Sequence, residues 1–127
     1  MTDETRKLLA KASRAIHAAE TLLRAGEIDF AVGRAYYSMF YTAEALLHEH
    51  GFHSRKHSGI HAAFGERFAK TGLLDPKFHR WLLDAFDKRI QGDYGFEADM
   101  TTDDVTPMIA QAQEFLAEAE RFLETTP

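Results

Sequence analysis

The sequence predicts an all-α protein, folded as an up-and-down bundle of four to five helices. Three observations carry this. Apolar residues recur at three- and four-residue spacings, glycines and an Asp-Pro pair punctuate those runs, and nothing alternates at period two for long enough to form a sheet. Long runs with short joins favour up-and-down connectivity.

In the first run, Leu8, Leu9, Ala12, Ala15, Ile16, Ala19, Leu22 and Leu23 form one apolar stripe that ends near Gly26. Asp29 is the expected N-cap of a second helix reaching Gly51, a residue suited to the left-handed conformation that closes helices. Ser58 is the expected cap of a third helix ending near Gly72. Asp75 and Pro76 are a cap and a first-turn proline for a fourth helix carrying Phe78, Trp81, Leu82, Ala85 and Phe86. Its regular pattern stops at "DKRIQGDYGFEADM". Thr102 or Asp103 is then the expected cap of a fifth helix, whose stripe is Val105, Ile109, Ala112, Phe115, Leu116, Ala119, Phe122 and Leu123.

A chain of 127 residues, 45% hydrophobic and 28% charged, fits one helical domain over residues 1–127 with a core of its own. No apolar run approaches the roughly 20 residues of a membrane span, and the N-terminus lacks the pattern of a signal peptide, so a cytoplasmic, membrane-free protein is expected. The absence of cysteine excludes disulfides, thiolate metal sites and cysteine nucleophiles. A net charge of −5 argues against unspecific coating of nucleic acid, which depends on cationic neutralisation of phosphates. A local basic patch remains at "HSRKH", where Arg55 and Lys56 precede His57.

Two helical faces break the simple pattern. On the second helix Val32, Ala35, Met39, Ala43, Leu46 and Leu47 form the core arc, while Arg34, Tyr37, Tyr41 and His48 form a second stripe with aromatic bodies and polar tips. That stripe either lies at the core margin with its hydroxyls in water or faces a groove or a partner subunit. On the fourth helix the line Phe78, Leu82, Ala85 continues to Arg89. A guanidinium there must find partners or reach solvent, because burying it unpaired is very costly. Asp93 is within reach at i+4. His57 and His61 have the i, i+4 spacing used by metal sites, but no companion carboxylate or thiol accompanies them, so neither a metal nor a cofactor is expected.

"AVGRAYYSMFYTAEALL", "HSRKHSGIHAAFGERFAKTGLL" and "RIQGDYG" together resemble, in matching order, the HEPN domains (higher eukaryote and prokaryote nucleotide-binding), in particular their small stand-alone prokaryotic branch. The resemblance implies a helical bundle, commonly a homodimer. Many members are metal-independent ribonucleases with an Arg-x(4 to 6)-His motif, and small members are often encoded beside a minimal nucleotidyltransferase as toxin and antitoxin. In some pairs the transferase adenylylates a tyrosine near the motif. Arg89 matches the motif arginine. No histidine follows it in position, and Tyr94 stands at the shortest spacing.

That departure bears on the chemistry. Histidine serves as acid and base because it titrates near neutrality, whereas tyrosine, with a pKa of about 10, is a poor base at neutral pH. The catalytic candidates are Arg89, Asp93 and Tyr94, with Tyr94 also a modification candidate. Arg34, Tyr37, Arg55, Lys56 and His57 are candidates for contacting a nucleotide or RNA phosphate. Two functions are expected from this: a dimeric partner of a nucleotidyltransferase, or a metal-independent endoribonuclease with a degenerate motif.

Overall fold

The computed structural model of the chain describes residues 1–95 and 100–125. Its helices follow from local signals in the sequence. Thr2 caps α1 (Asp3–Arg24) by accepting a hydrogen bond from the Thr5 backbone N–H at 3.1 Å. The helix buries Leu9, Ala12, Ala15, Ile16 and Ala19, all on the predicted stripe, and is followed by Gly26 at φ +81°.

Helix α2 (Ile28–Glu49) begins two residues earlier than the expected Asp29 cap allows. Glu27 precedes it without a side-chain cap, and Asp29 falls in the first turn, where its charge complements the helix dipole. Gly51 then closes the helix at φ +75°. α2 is the central element, packing against α1, α3, α4 and α5. It is therefore buried on nearly every side, and small residues such as Ser38, Thr42 and Ala45 fill buried positions off the predicted core arc. Its last residue returns to the start of α1: Glu49 Oε1 accepts from the Thr2 N–H and from the Thr5 hydroxyl, both at 2.8 Å. These bonds hold the Glu49 carboxyl below its ordinary range.

Helix α3 (His57–Phe64) is not capped by Ser58, which lies inside it. Ser54 organises the entry instead, its Oγ accepting the Lys56 N–H at 3.2 Å. The helix ends well before Gly72 because it widens into a π-helical turn, Gly65–Ala69. Gly65 is the reason a neighbour can approach here, since a Cβ at this position would lie 2.5 Å from Cε1 of His79. The His79 ring occupies that space, with Nε2 3.1 Å from the His61 carbonyl oxygen.

Helix α4 (Lys77–Tyr94) starts one residue later than the Asp-Pro pair predicts, with Pro76 in the cap position and Asp75 Oδ1 accepting the Lys77 N–H at 2.9 Å. It runs straight through Gly92, so "DKRIQGDY" is helical rather than an interruption. The remainder of that stretch, residues 96–99, lies outside the described residues. Asp104, in the first turn of α5 (Thr102–Thr125), accepts from both the N–H and the hydroxyl of Thr101, at 2.8 and 3.1 Å. Rings join the layers: Phe115 of α5 meets Phe64 at 5.3 Å and Phe78 at 5.1 Å between centroids. Burying each such ring contributes about 1.5–3 kcal/mol. The described residues form helices, turns and connections without a strand, and none of these helices is long and apolar enough to cross a membrane.

Candidate functional site: a groove between two guanidinium groups

The core-facing line of α4 leaves the interior at Arg89. There the guanidinium turns back over the aromatic side chains of α2, with Cζ 5.1 Å from the centroid of Tyr37 and 5.7 Å from that of Tyr36. Its Nε donates to Asp93 Oδ2 at 3.1 Å, and only 22% of the side chain is exposed. Arg89 is therefore held by a carboxylate, which takes its Nε–H, and by two ring faces. One turn earlier on α2, Arg34 Cζ lies 4.8 Å from the same Tyr37 ring. Tyr37 thus carries two guanidinium contacts, one from its own helix and one from α4.

These residues line a groove of about 410 Å³. Gly33 forms part of its wall, and a Cβ there would project into open space, so the missing side chain widens the opening. Phe30, 66% exposed, supplies an apolar face, and Asp29 and Asp93 flank the two arginines. Arg34 has no carboxylate partner among the described residues. Guanidinium donors beside accessible aromatic faces suit a ligand that has phosphate oxygens and a flat ring.

Behind the groove, Tyr36 is fully buried. Its hydroxyl lies 2.7 Å from Nδ1 of His57 and 2.8 Å from Nε2 of His61. A phenol has a single proton, so it donates to one imidazole and accepts from the other. Burial disfavours every charged form in this cluster. The Tyr36 phenol is raised well above its usual value of 10.0, mainly by desolvation, with Arg89 opposing. His61 is lowered to about 4 by burial and by the neighbouring His57 and His79. His57 is also lowered, by burial first and by the Arg89 charge second. Both imidazoles are therefore neutral at pH 7. The His57 ring stacks on Phe40 at 4.3 Å between centroids.

The candidates named from the sequence are only partly brought together. Arg34, Tyr37, Arg89 and Asp93 share the groove. His57 lies on the far side of Tyr36. Arg55 and Lys56 are exposed on the connection before α3, and Tyr94, 77% exposed, ends α4 without lining the groove. The stripe Arg34, Tyr37, Tyr41, His48 does not act as one surface: Tyr41 lies under Lys11 of α1, and His48 turns toward His53. Sequence reasoning missed Tyr36, although its position four residues after Val32 and three before Met39 places it on the core arc. The facing nitrogens of His57 and His61 are occupied by Tyr36. Among the described residues no three His, Cys, Asp or Glu side chains are grouped to hold a metal ion.

An all-α bundle with a paired-arginine groove at the end of its fourth helix defines the class, and comparison with known proteins identifies the family. Residues 5–123 match the HEPN domain, and the chain belongs to that family. It is 38% identical over 124 residues to a Gloeobacter violaceus protein named "UPF0332 protein glr0978", covering 97% of this chain and 98% of the relative. A Methanocaldococcus jannaschii protein named "Putative toxin MJ0142" is 32% identical over 120 residues, 94% of this chain and 82% of that one. A Thermotoga maritima protein, "UPF0332 protein", is 34% identical over 114 residues, 90% of this chain and 86% of its own.

Proposed function

We propose that this protein is the HEPN component of a cytoplasmic toxin-antitoxin or stress-response module. It works as a homodimer, pairs with a minimal nucleotidyltransferase, and binds nucleotide or RNA phosphate in the groove around Arg89. The observation that carries this reading is Tyr37 held between Arg34 and Arg89. One guanidinium is partly satisfied by Asp93 and the other lacks a carboxylate partner among the described residues, so donors remain for phosphate. The names of two M. jannaschii relatives, both toxin candidates, support the module. Titration with AMP, followed by backbone NMR, tests the groove: shifts should cluster at residues 33–37 and 89–93 and disappear in Arg89→Ala. Shifts that survive the substitution would remove the reading.

In the same module Tyr94 is the group the partner modifies. Its phenol is exposed at the end of α4, where an enzyme can reach it. The Tyr94 oxygen would attack the α-phosphorus of ATP, forming a phosphodiester, releasing pyrophosphate and losing the phenolic proton to solvent. Incubation with a minimal nucleotidyltransferase and ATP, then peptide mass mapping, tests this step. An unchanged mass or an adduct elsewhere excludes Tyr94.

The neutral His57 favours a second reading, a metal-independent endoribonuclease. Its Nδ1 is anchored on Tyr36, and its lowered pKa keeps it in the uncharged state that a base requires. Arg89 would then stabilise the developing phosphorane charge. This reading expects chelator-insensitive RNA cleavage that disappears in both Arg89→Ala and His57→Ala. Equal residual cleavage by wild type and variants counts against it.

A further inference from the structure

The arginine groove holds a second carboxylate that phosphate binding does not use. Asp93 is taken by the Arg89 Nε–H, whereas Asp29, in the first turn of α2, lines the same groove with no hydrogen-bond or ion-pair partner among the described residues. The end of α4 closes against it, since a Cβ at Gly92 would lie 3.9 Å from the Asp29 Cβ. An unpaired carboxylate repels a phosphate set beside it and calls instead for a hydrogen-bond donor.

Phe30, the next residue, is equally unattached. Its ring meets no other aromatic ring and no cationic group among the described residues, whereas Tyr37 is already covered by Arg34 and Arg89. Phe30 is thus the ring left free for a ligand. It stands four residues before Arg34, on the same side of α2, so a base stacked on Phe30 can keep its phosphate on the guanidinium one turn away. Asp29 then faces the edge of that base. Guanine alone among the bases presents two adjacent N–H donors there, N1–H and the N2 amino group, which match the two oxygens of a carboxylate. Adenine and cytosine each set one donor beside a ring-nitrogen acceptor, which a carboxylate repels, and uracil sets one donor between two carbonyls.

We propose that the groove selects guanine: Asp29 accepts from N1–H and the N2 amino group, the base stacks on Phe30, and the phosphate lies against Arg34 and Arg89. This selectivity rests on the phosphate binding proposed for the groove and adds the identity of the base, with Asp29 as the residue that determines it. The recognised group is a guanine nucleotide, free or within single-stranded RNA.

Calorimetric titration of the full chain with GMP, IMP and AMP tests the selectivity. GMP should bind tighter than AMP by about tenfold or more, the discrimination of one bidentate pair, with IMP, which lacks the 2-amino group, in between. In Asp29→Asn the side-chain amide accepts from adenine N6 and donates to adenine N1, so the preference should vanish or reverse. Phe30→Ala should weaken all three nucleotides by a similar factor, and circular dichroism checks that both variants keep their helices. Equal affinities for GMP and AMP, or an unchanged ratio in Asp29→Asn, overturn the guanine preference and leave phosphate binding standing. No binding of any of the three overturns both. Wild-type affinity in Phe30→Ala overturns the stacking. The trinucleotide UGU separates the sources: tighter binding than GMP assigns the guanine to RNA, weaker binding assigns it to free nucleotide, and either supports the site provided that UAU binds less tightly than UGU.

Discussion

His61 Nε2 lies 2.8 Å from the Tyr36 hydroxyl in a part of the core that solvent scarcely reaches. The imidazole there stays neutral to about pH 4, against 6.5 for an ordinary histidine. The unfolded chain therefore binds more protons than the folded one between those two values, and stability must rise with pH across that window. Its contribution is fully present above pH 6.5 and is lost as the pH falls toward 4, a change on the order of 3 kcal/mol. Urea denaturation of wild type and His61→Gln at several pH values checks this. The variant should show a shallower loss between pH 6.5 and 4, whereas parallel curves would assign the acid sensitivity to other groups.

Replacing Tyr36 with phenylalanine keeps the ring contacts and removes the hydroxyl from both His57 and His61. Two buried imidazole nitrogens then lose their partner, which costs about 1–3 kcal/mol. Equilibrium denaturation should show this loss with unchanged helicity. A variant as stable as wild type would mean that the cluster adds nothing to the fold.

At Arg89 a lysine substitution should fail to replace arginine. An ammonium cannot satisfy Asp93 through one nitrogen while covering Tyr37 with a planar cation and offering further donors. AMP binding by Arg89→Lys is expected to fall by about tenfold or more, close to the loss in Arg89→Ala. Wild-type affinity in the lysine variant would reduce the site to simple charge attraction.

Gly65 and His79 can be tested as a pair. Gly65→Ala places a methyl group 2.5 Å from the His79 ring, which must move and give up its contact with the His61 carbonyl, a loss of about 1 kcal/mol. In a His79→Ala background the same substitution meets no ring, and the better helix propensity of alanine should make it neutral or stabilising. A double-mutant cycle measures that change of sign.

Local chemistry is what the sequence makes readable here. Gly26, Gly51 and Gly72 each adopt positive φ where a helix or helical turn was expected to stop, and Asp75 with Pro76 starts α4. The placement of Arg89 on the core-facing line of α4 was enough to single it out. By contrast, Tyr36 meets His57 and His61 across 21 and 25 residues of chain, a distance that no periodicity encodes. A helical wheel joins the α2 stripe into one surface because it ignores neighbours. Since α2 runs past several helices, Arg34 and Tyr37 face α4 at one level while Tyr41 and His48 face α1 at another.

Adjacent positions on a helix point about 100° apart, so Tyr36 and Tyr37 reach different neighbours from one turn of α2. The hydroxyl of Tyr36 is gripped by α3, the ring of Tyr37 is covered from α4, and the Arg89 guanidinium rests on both rings. Mechanically, α2 is a shaft with two teeth: a ligand that shifts Arg89 also presses on the ring whose far end sets the histidines of α3.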